Sequence, residues 1–341
     1  ERSETILGYS TVRNSIGLQF AVTGVHGLVF GRQFYFYFIA VLLVNRMSYD
    51  YYIGVIDEES VLAECGPMRL IIRAWNKGKP QIHLAYRAAE QSFMYLERIA
   101  RHRPELSRPF PKMETPPPDA LAIAMVQSVD AVGDGDLTPM AAVAGTIADA
   151  VADWLFEMEV TRVIVDNGGD IAIRIAKGET VNVGIRPGIR TAAMSHVLGL
   201  DSRTKSWGVT TSGFGGRSLT RGIASAATVI AANASVADAA STAIANACLV
   251  KNENIRHKPA EQIALGTALG GIPVTSRVGK LSPAQLEAAL ETALHRAEDL
   301  VVRNVIFGAI IYLGKSFIMT SSLKTFVSRI SLAADGEEAF E

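Results

Sequence analysis

The sequence lacks a charge excess, a cysteine cluster and a long apolar run, and each absence excludes a class of protein. Its 33 basic and 34 acidic side chains give a net charge of -1, and five like charges never follow one another, which leaves no electrostatic source for binding nucleic acid or an acidic membrane. Cys65 and Cys248 stand far apart, and no two of the 6 histidines are spaced i, i+4. We therefore expect two reduced core thiols, and a zinc site is disfavoured. The longest apolar run, residues 34–44, has about half of the roughly 20 residues that a membrane-spanning helix needs.

The composition favours a globular protein with a sizeable core. Apolar residues make up 49% of the 341 residues and charged residues 20%, which lies within the range of soluble α/β proteins. No early apolar segment is flanked by the charged amino-terminal region and the small-residue cleavage site of a signal peptide. A cytoplasmic location is the default expectation.

Residues 1–103 are predicted to form an amino-terminal α+β part. Three apolar runs are typical of strands and one longer pattern predicts a helix: residues 18–22, 34–44 and 69–74, and residues 84–99. Six prolines between residues 104 and 118 fix the backbone and remove amide donors, so no regular element is expected there. We interpret 104–118 as a connection to a core of residues 119–341, although a loop wrapped over a single domain would have the same composition.

The core is predicted to be an α+β domain in which an antiparallel β meander is layered with helices. Helices are expected at 119–131, 140–157, 235–250 and 283–303, and strands at 162–165, 171–175, 180–185, 207–211 and 226–230. Thr138 followed by Pro139 is typical of an N-cap with proline at the first helical position. The helix that follows has small residues that allow another backbone to approach, while Asp149 and Asp153 are expected on its other side. Such small-residue helices suit self-association, but packing within the chain explains them equally well.

Two glycine-containing turns end predicted strands and leave backbone amides free. One is Asn167-Gly168-Gly169-Asp170, and the other is Thr211-Ser212-Gly213-Phe214-Gly215-Gly216. Because glycine adopts positive φ and lets a phosphate approach the amides, both turns are candidate anion sites. Neither matches the dinucleotide fingerprint or the P-loop, and a plain hairpin turn is the more common explanation of such sequences.

Asp238 and Thr242 lie one helical turn apart near the start of the helix predicted at 235–250. On one helix face, a carboxylate and a hydroxyl together with backbone carbonyls can hold a hard cation such as Mg²⁺. Ser235 and Asp238 also have the S-x-x-D spacing of a capping box, which favours a structural role for the carboxylate. The two roles are compatible.

Four segments, in order, resemble the ApbE-like superfamily, and in particular its uncharacterised protein family branch. They are residues 138–149, 163–171, 209–213 and 234–243, which read TPMAAVAGTIAD, VIVDNGGDI, VTTSG and ASVADAASTA. The resemblance extends over about residues 68–313. It implies a T-fold-like α+β architecture.

The catalytic members of this superfamily are FAD:protein FMN transferases, which move FMN from FAD to a threonine of a target protein with Mg²⁺. The resemblance assigns the metal to Asp238, Thr242 and the backbone carbonyl of Asp170. It places the flavin nucleotide beside Ser212 and Gly213. The other candidate cofactor-binding residues are Asn167, Gly168, Gly169, Thr211 and Arg217.

Two segments depart from the transferase pattern. Residues 216–222 read GRSLTRG where the transferases carry His-x-x-Asp-Pro, and residues 135–139 read GDLTP where they carry a Lys and an Asp. Arg217 and Arg221 could bind phosphate in the altered loop, since a guanidinium group matches phosphate in a bidentate manner. Exposure on a loop explains both arginines equally well.

The sequence thus predicts Mg²⁺-assisted binding of FAD or FMN, with transfer of FMN or another nucleotide phosphoryl group onto a protein acceptor. One alternative is a non-catalytic flavin or nucleotide binder that serves as a carrier, a sensor or a partner subunit of an oxidoreductase. Another is a structural relative that kept the fold without the ligand. Nucleic-acid and membrane partners are not expected.

Overall fold

The computed structural model describes residues 50–109, 117–188, 191–216, 218–267, 269–332 and 338–340. In chain order its strands are β1 (Tyr51–Val55), β2 (Val61–Cys65), β3 (Met68–Asn76), β4 (Lys79–Pro80), β5 (Arg162–Asn167), β6 (Ile171–Ile175), β7 (Thr180–Ile185), β8 (His196–Asp201), β9 (Ser206–Ser212), β10 (Ala226–Ala231), β11 (Ile255–Pro259), β12 (Pro273–Val278), β13 (Gly308–Leu313), β14 (Ser316–Met319), β15 (Val327–Leu332) and β16 (Glu338–Phe340). Its α-helices are α1 (Ile82–Arg101), α2 (Arg103–Leu106), α3 (Ala120–Val132), α4 (Val143–Phe156), α5 (Ala234–Ala247) and α6 (Pro283–Val302). Short 3₁₀ helices occur at Pro139–Ala142, Ala260–Gln262 and Ser321–Thr325.

A ten-stranded antiparallel sheet forms the centre of the molecule. Its strand order is β1-β2-β3-β5-β6-β9-β10-β13-β14, with β4 added beside β3. Strand β3 pairs with β5, so that Ile72 lies opposite Val165. This pairing joins strands from before and after the proline-rich connection into one sheet, while the division of the chain at 104–118 stays a prediction.

Helices cover one face of the large sheet. Leu70, Ile72 and Ala74 alternate along β3 and are almost completely buried on this face, in the same core as Phe93 of α1 and Ile147 of α4. Burying each such large side chain stabilises the fold by about 1.5–3 kcal/mol. The mixture of helices and antiparallel strands confirms the predicted α+β class, and the T-fold label stays a prediction.

A second, four-stranded sheet covers part of the other face, in the order β16-β15-β8-β7. Val181 and Val183 of β7 and Leu198 of β8 pack there against Ile173 and Trp207 of the large sheet. The predicted strand at 180–185 therefore exists, but its assignment to a single meander is wrong. Alternating buried and exposed residues along β7 are typical of a sheet with one solvated face, whereas β10 is buried throughout.

Two predictions about local structure need correction. Residues 104–118 do contain a regular element at their start, because Pro104 lies in the first turn of α2, where proline is tolerated. The helix predicted from 140 begins as the 3₁₀ turn Pro139–Ala142, and Thr138 has an extended backbone without a side-chain cap. The strands predicted at 18–22 and 34–44 lie outside the described residues. Cys65 and Cys248 are buried thiols, as predicted.

One stretch of helix, Pro139–Phe156, is long and apolar enough by length and composition to cross a membrane. Since 56% of it is buried within the protein, core packing accounts for its apolar character.

Candidate functional site

The first turns of α4 and α5 lie against each other, and a carboxylate from each helix caps the other. Asp238 of α5 accepts a hydrogen bond from the backbone N–H of Gly145 at 2.9 Å. Asp149 of α4 accepts from the N–H groups of Ala234 at 3.0 Å and Ser235 at 2.8 Å. Because first-turn amides have no partner within their own helix, this exchange satisfies both helix ends and fixes the helices relative to each other.

Glycine makes this close approach possible. A Cβ on Gly145 would overlap the carbonyl group of Ala234, which confirms the prediction that small residues of this helix face another backbone. Below α5, a Cβ on Gly208 of β9 would overlap the carbonyl of Asn233. The start of α5 is therefore held tightly between α4 and the large sheet.

Asp238 is buried, with 9% of its surface exposed. Burial raises its pKa to about 7 against the opposing effect of the Gly145 and Ala144 amides, and the nearby carboxylate of Asp149 raises it further. A cation placed beside Asp238 would favour the ionised carboxylate. The side chain is therefore a buried acid whose charge is balanced by helix-end amides.

Asp149 is buried rather than placed on a polar helix face, which corrects the prediction for this residue. Arg174 of β6 points toward the helices and is 5% exposed. It donates to Asp149 at 3.0 Å and to Asp153 at 2.6 Å. A buried guanidinium needs such partners, so Asp149 serves both as the counter-charge of Arg174 and as the cap of α5.

The capping box predicted from Ser235 and Asp238 is wrong. Helix α5 begins one residue earlier, and its N-cap is Asn233, whose side chain accepts from the N–H of Val236 at 2.9 Å. Asp238 is thus free of any capping role in its own helix and reaches across to α4 instead.

The two predicted glycine turns lie at the same edge of the large sheet. The Gly168-Gly169 turn joins β5 to β6, and Ile171, the first residue of β6, pairs with Val209 of β9. Both glycines have positive φ, 69° and 107°, and the N–H of Asn167 donates to the Asp170 carbonyl at 3.0 Å. The turn is therefore a hairpin that requires glycine.

Asn167 connects this turn to the helix ends. Its side-chain amide donates to the carbonyl of Ala144 at 3.1 Å, the residue before Gly145. Asn167 and Asp238 therefore meet at the first turn of α4, and the structure brings the Gly-Gly turn and the predicted metal-binding aspartate to one place.

Strand β9 continues past the point where β6 ends. Thr210, Thr211 and Ser212 pair with β10 on one side, whereas β6 pairs with β9 only up to Val209. Among the described strands, none pairs with the other edge of these three residues, which lies beside the Gly168-Gly169 turn. Backbone groups at such an edge are available to a ligand.

Two buried hydroxyl groups on this extension have no hydrogen-bond partner. Ser212 lies opposite Ala227 and Thr210 opposite Val229, so both face the helices. They are 5% and 0% exposed, and within the described part of the chain neither hydroxyl is hydrogen-bonded. Unpaired buried hydroxyls are costly and rare, so a polar partner for these two would stabilise this part of the strand.

Thr211 differs from its neighbours because its side chain lies on the opposite face of the sheet. Its hydroxyl pairs with that of Thr228 at 2.8 Å. Of the predicted positions on this strand, Ser212 is therefore the one whose buried hydroxyl lies on the helix side without a described partner.

The loop that follows Ser212 packs tightly at both of its ends. A Cβ on Gly213 would lie 2.7 Å from the carbonyl oxygen of Ser225, so Gly213 allows a backbone contact. Arg221 is held by ion pairs with Asp136 at 2.7 Å and Asp134 at 3.9 Å. It is therefore partly neutralised, and Arg217 lies outside the described residues.

The oxygen donors that could hold Mg²⁺ are few. Thr242 is half-buried one turn beyond Asp238, and the backbone carbonyl of Asp170 ends the Gly-Gly turn. Among the described residues no group of three or more His, Cys, Asp or Glu side chains could hold a metal ion. Hard oxygen donors of this kind suit Mg²⁺, which commonly binds one or two carboxylates and completes its shell with water and substrate phosphate.

A comparison with models of known protein families shows the family to which the chain belongs. The family model described as AbpE bacteria matches residues 55–321, which include both glycine turns and the helices α4 and α5. The chain belongs to the AbpE bacteria family.

Relatives of this AbpE bacteria family member are named UPF0280 proteins. One from Methanococcus maripaludis is 32% identical over 151 residues, covering 41% of this chain and 61% of the relative. One from Methanococcus aeolicus is 35% identical over 173 residues, covering 45% and 66%. One from Methanococcoides burtonii is 33% identical over 188 residues, covering 50% and 75%. The chain thus spans less than two thirds of the length of the first two relatives.

Two solved structures are similar at low identity. Pseudomonas stutzeri flavinyl transferase ApbE, apo form, has a TM-score of 0.43 and 15% identity, over 76% of this chain and 92% of that one. The flavin transferase ApbE from Vibrio cholerae has a TM-score of 0.42 and 11% identity, over 81% and 98%.

Three features of this AbpE bacteria site were missed from sequence. Thr210 precedes the recognised Thr-Ser-Gly turn, and only the strand register shows that its hydroxyl is buried without a partner. Asn233 lies one residue before the recognised segment 234–243. The role of Arg174 depends on which face of the sheet its side chain occupies. Its place in the otherwise apolar strand Ile171–Ile175 could have indicated a buried cation that needs a carboxylate.

Proposed function

We propose that the protein binds a flavin nucleotide, FAD or FMN, at the sheet edge between the Gly168-Gly169 turn and the end of β9. The observation that carries the proposal is the pair of buried, unpartnered hydroxyls of Thr210 and Ser212 beside an open strand edge. A phosphate oxygen is a strong acceptor for such hydroxyls.

The shape of the backbone supports a phosphate at this edge. A Cβ on Gly169 would meet nothing within 4 Å, so the space above this turn is open. The N–H of Gly169 already donates to the Asp166 carboxylate at 2.7 Å, so open space, rather than a set of free amides, is what this turn offers a ligand. Ser212 and Gly213 are then placed at the nucleotide end of the flavin.

Mg²⁺ fits the donor set as an ion shared with the nucleotide. Asp238, Thr242 and the Asp170 carbonyl would hold it through hard oxygens, and phosphate and water would complete its shell. When bound, the cation would neutralise charge that develops on phosphoryl oxygens. The protein's own residues position the phosphates, and burial of Asp238 excludes water from that side.

The reaction proposed for this site is transfer of FMN from FAD to a hydroxyl of a protein acceptor. In that reaction the acceptor hydroxyl loses its proton to water or to the leaving phosphate, its oxygen forms a bond to the FMN phosphorus, the pyrophosphate bond breaks, and AMP leaves. This proposal rests on the family resemblance together with the geometry of Ser212 and Asp238. The altered segment 216–222 favours binding without turnover as the second candidate, since it lacks the histidine and aspartate of the transferases.

Calorimetric titration with FAD, with and without Mg²⁺, tests the binding. Loss of one hydrogen bond to a charged phosphate costs about 1.5–3 kcal/mol, so Ser212→Ala should weaken FAD binding at least tenfold. Ser92→Ala is the matched control, because Ser92 is fully buried in α1 and its hydroxyl is already bonded to the Ala89 carbonyl at 2.7 Å. Equal affinity of both variants would refute the assigned site.

The metal and the transfer step need separate measurements. Asp238→Asn keeps an oxygen that can accept from the Gly145 amide, and it should abolish the effect of Mg²⁺ while FAD still binds. Release of AMP from FAD, followed by chromatography, distinguishes transfer or hydrolysis from binding alone. Binding without AMP release would establish the second candidate.

A further inference from the structure

Strands β11 and β12 form a two-stranded ribbon outside the two larger sheets. We call residues 251–280 the basic ribbon, because they contain two glutamates and five lysines and arginines: Lys251, Arg256, Lys258, Arg277 and Lys280. In a chain whose net charge is -1, this concentration of positive charge is local to one element.

Two arginines of the basic ribbon face each other across the strands. Arg256 is registered opposite Arg277, and both are exposed. No ion pair to Arg256, Lys258 or Arg277 occurs in the described part of the chain, where the arginine pairs involve other residues. Like charges directly opposite each other destabilise a strand pair, so fold stability does not explain this arrangement.

Strand β11 also has an open outer edge. It pairs only with β12 among the described strands, and its central residues Arg256, His257 and Lys258 are all exposed. The register shifts at Arg256 and His257, and such irregularities redirect side chains at sheet edges. An edge with free backbone groups and unpaired cations is suited to receive another extended chain.

The loop that joins β11 to β12 presents apolar side chains to solvent. Leu265 is 99% exposed and Ile263 is 42% exposed. Charged edges often protect a sheet from association, but a fully exposed leucine in the loop at the other end of the ribbon from the Arg256–Arg277 pair has the opposite effect. The combination of cations and an apolar tip fits a partner with both acidic and apolar residues.

The basic ribbon is anchored beside the candidate flavin site. Thr275 donates its N–H to the Thr220 carbonyl and its hydroxyl to the Arg221 carbonyl, both at 2.8 Å. Thr220 in turn donates to Asn246 at 2.9 Å, one helical turn beyond Thr242. These bonds fix β12 to the loop that follows Ser212, and the outer edge of β11 lies on the opposite side of the ribbon.

We propose that the basic ribbon is a docking surface for an acidic, extended segment of a partner protein, which adds as a strand to the outer edge of β11. Its carboxylates pair with Arg256, Lys258 and Arg277, and an apolar residue covers Leu265. The proposal stands without nucleotide binding. If the site also transfers FMN, the docked segment belongs to the acceptor.

A protein segment fits better than nucleic acid or a membrane. The cations lie along one short edge rather than in a broad patch, and nucleic acid binding relies on many phosphate contacts. A membrane would need a larger apolar face than one leucine and one isoleucine.

Fluorescence anisotropy with a labelled ten-residue peptide of alternating Glu and Val tests the docking surface in ligand-free protein. The peptide should bind in a salt-dependent manner, and Arg256→Glu/Arg277→Glu should weaken binding at least tenfold. Lys315→Glu/Lys324→Glu is the control, since it changes net charge equally at exposed positions elsewhere and should leave binding unchanged. The reversed variant should gain binding to the corresponding Lys and Val peptide.

Two further probes separate the alternatives. A Glu and Val peptide with alternate backbone amides methylated should bind at least tenfold more weakly if the peptide pairs as a strand. Three results would overturn the proposal. The unmethylated Glu and Val peptide does not bind, or it binds the Arg256→Glu/Arg277→Glu variant as tightly as the unaltered protein. The third is that phosphatidylserine vesicles, instead of the peptide, bind in a manner that depends on Arg256. If the Arg256→Glu/Arg277→Glu variant still binds FAD, failure of the docking proposal leaves the proposed flavin binding unaffected.

Discussion

The reciprocal caps of α4 and α5 predict very different costs for two similar substitutions. Asp149 and Asp238 are both buried, and each accepts hydrogen bonds from amides of the neighbouring helix. Only Asp149 also neutralises a buried cation, Arg174. Replacing each aspartate with asparagine removes a charge while keeping the size of the side chain.

The expected magnitudes follow from the partners. Asp149→Asn leaves Arg174, which is 5% exposed, with Asp153 as its remaining carboxylate, and breaking a buried ion pair in this way costs about 3–5 kcal/mol. Asp238→Asn keeps an oxygen for the Gly145 amide and leaves no cation unpaired, so its cost should be about 1 kcal/mol or less.

Urea denaturation followed by circular dichroism and tryptophan fluorescence measures this difference. A loss of about 3 kcal/mol lowers the urea midpoint by about 1 M or more for a slope of about 1–3 kcal/mol/M. Equal midpoints for Asp149→Asn and Asp238→Asn would refute the reasoning, since they would show that Arg174 does not depend on Asp149. Asp153→Asn should have a smaller effect, because the Asp153 side chain is 60% exposed.

Three other predictions concern pH, packing and thiol chemistry. The pKa of Asp238 is raised by burial from 3.8 to about 7, so between these two values the folded state keeps a proton that the unfolded state releases. The free energy of unfolding should therefore fall as the pH rises through this range. Asp238→Asn should remove the contribution of this group to the difference between the urea midpoints at pH 5 and pH 8. Gly145→Ala should destabilise the fold by about 1–3 kcal/mol in thermal unfolding because α4 and α5 must separate, whereas Gly188→Ala, where the nearest atom to a new Cβ lies at 3.7 Å, should be nearly neutral. Burial raises the pKa of Cys65, and that of Cys248 to about 12, so a disulfide reagent at pH 8 should react slowly with folded protein and rapidly after denaturation; fast reaction of the native protein would contradict the core assignment.

Local patterns were sufficient to predict most elements of the core. The strand predicted at 171–175 matches β6, and that at 180–185 matches β7, because apolar alternation and glycine or asparagine at the joins indicate strands directly. The helix predicted at 283–303 matches α6, Pro283–Val302. These features depend on residues close in sequence.

Pairing between distant strands could not be predicted in the same way. Besides β5, strand β6 pairs with β9 rather than with β7, and a strand's pattern gives the face it buries but not its neighbour. The burial of Asp149 likewise depends on Arg174, 25 residues away. Only the fold shows that these two charges meet.

The position of Asp238 shows why a spacing alone does not define a metal site. The separation of four residues correctly places Asp238 and Thr242 on successive turns of α5, but it does not show what already occupies the carboxylate. In the folded protein the first-turn amides of α4 supply partial positive charge to Asp238, so a cation must share this side chain with them. A nucleotide phosphate would supply oxygen ligands of its own to Mg²⁺, so that fewer ligands would be needed from Asp238 and its neighbours. Metal binding at this site should consequently depend on the nucleotide, and Mg²⁺ should bind measurably more weakly in its absence.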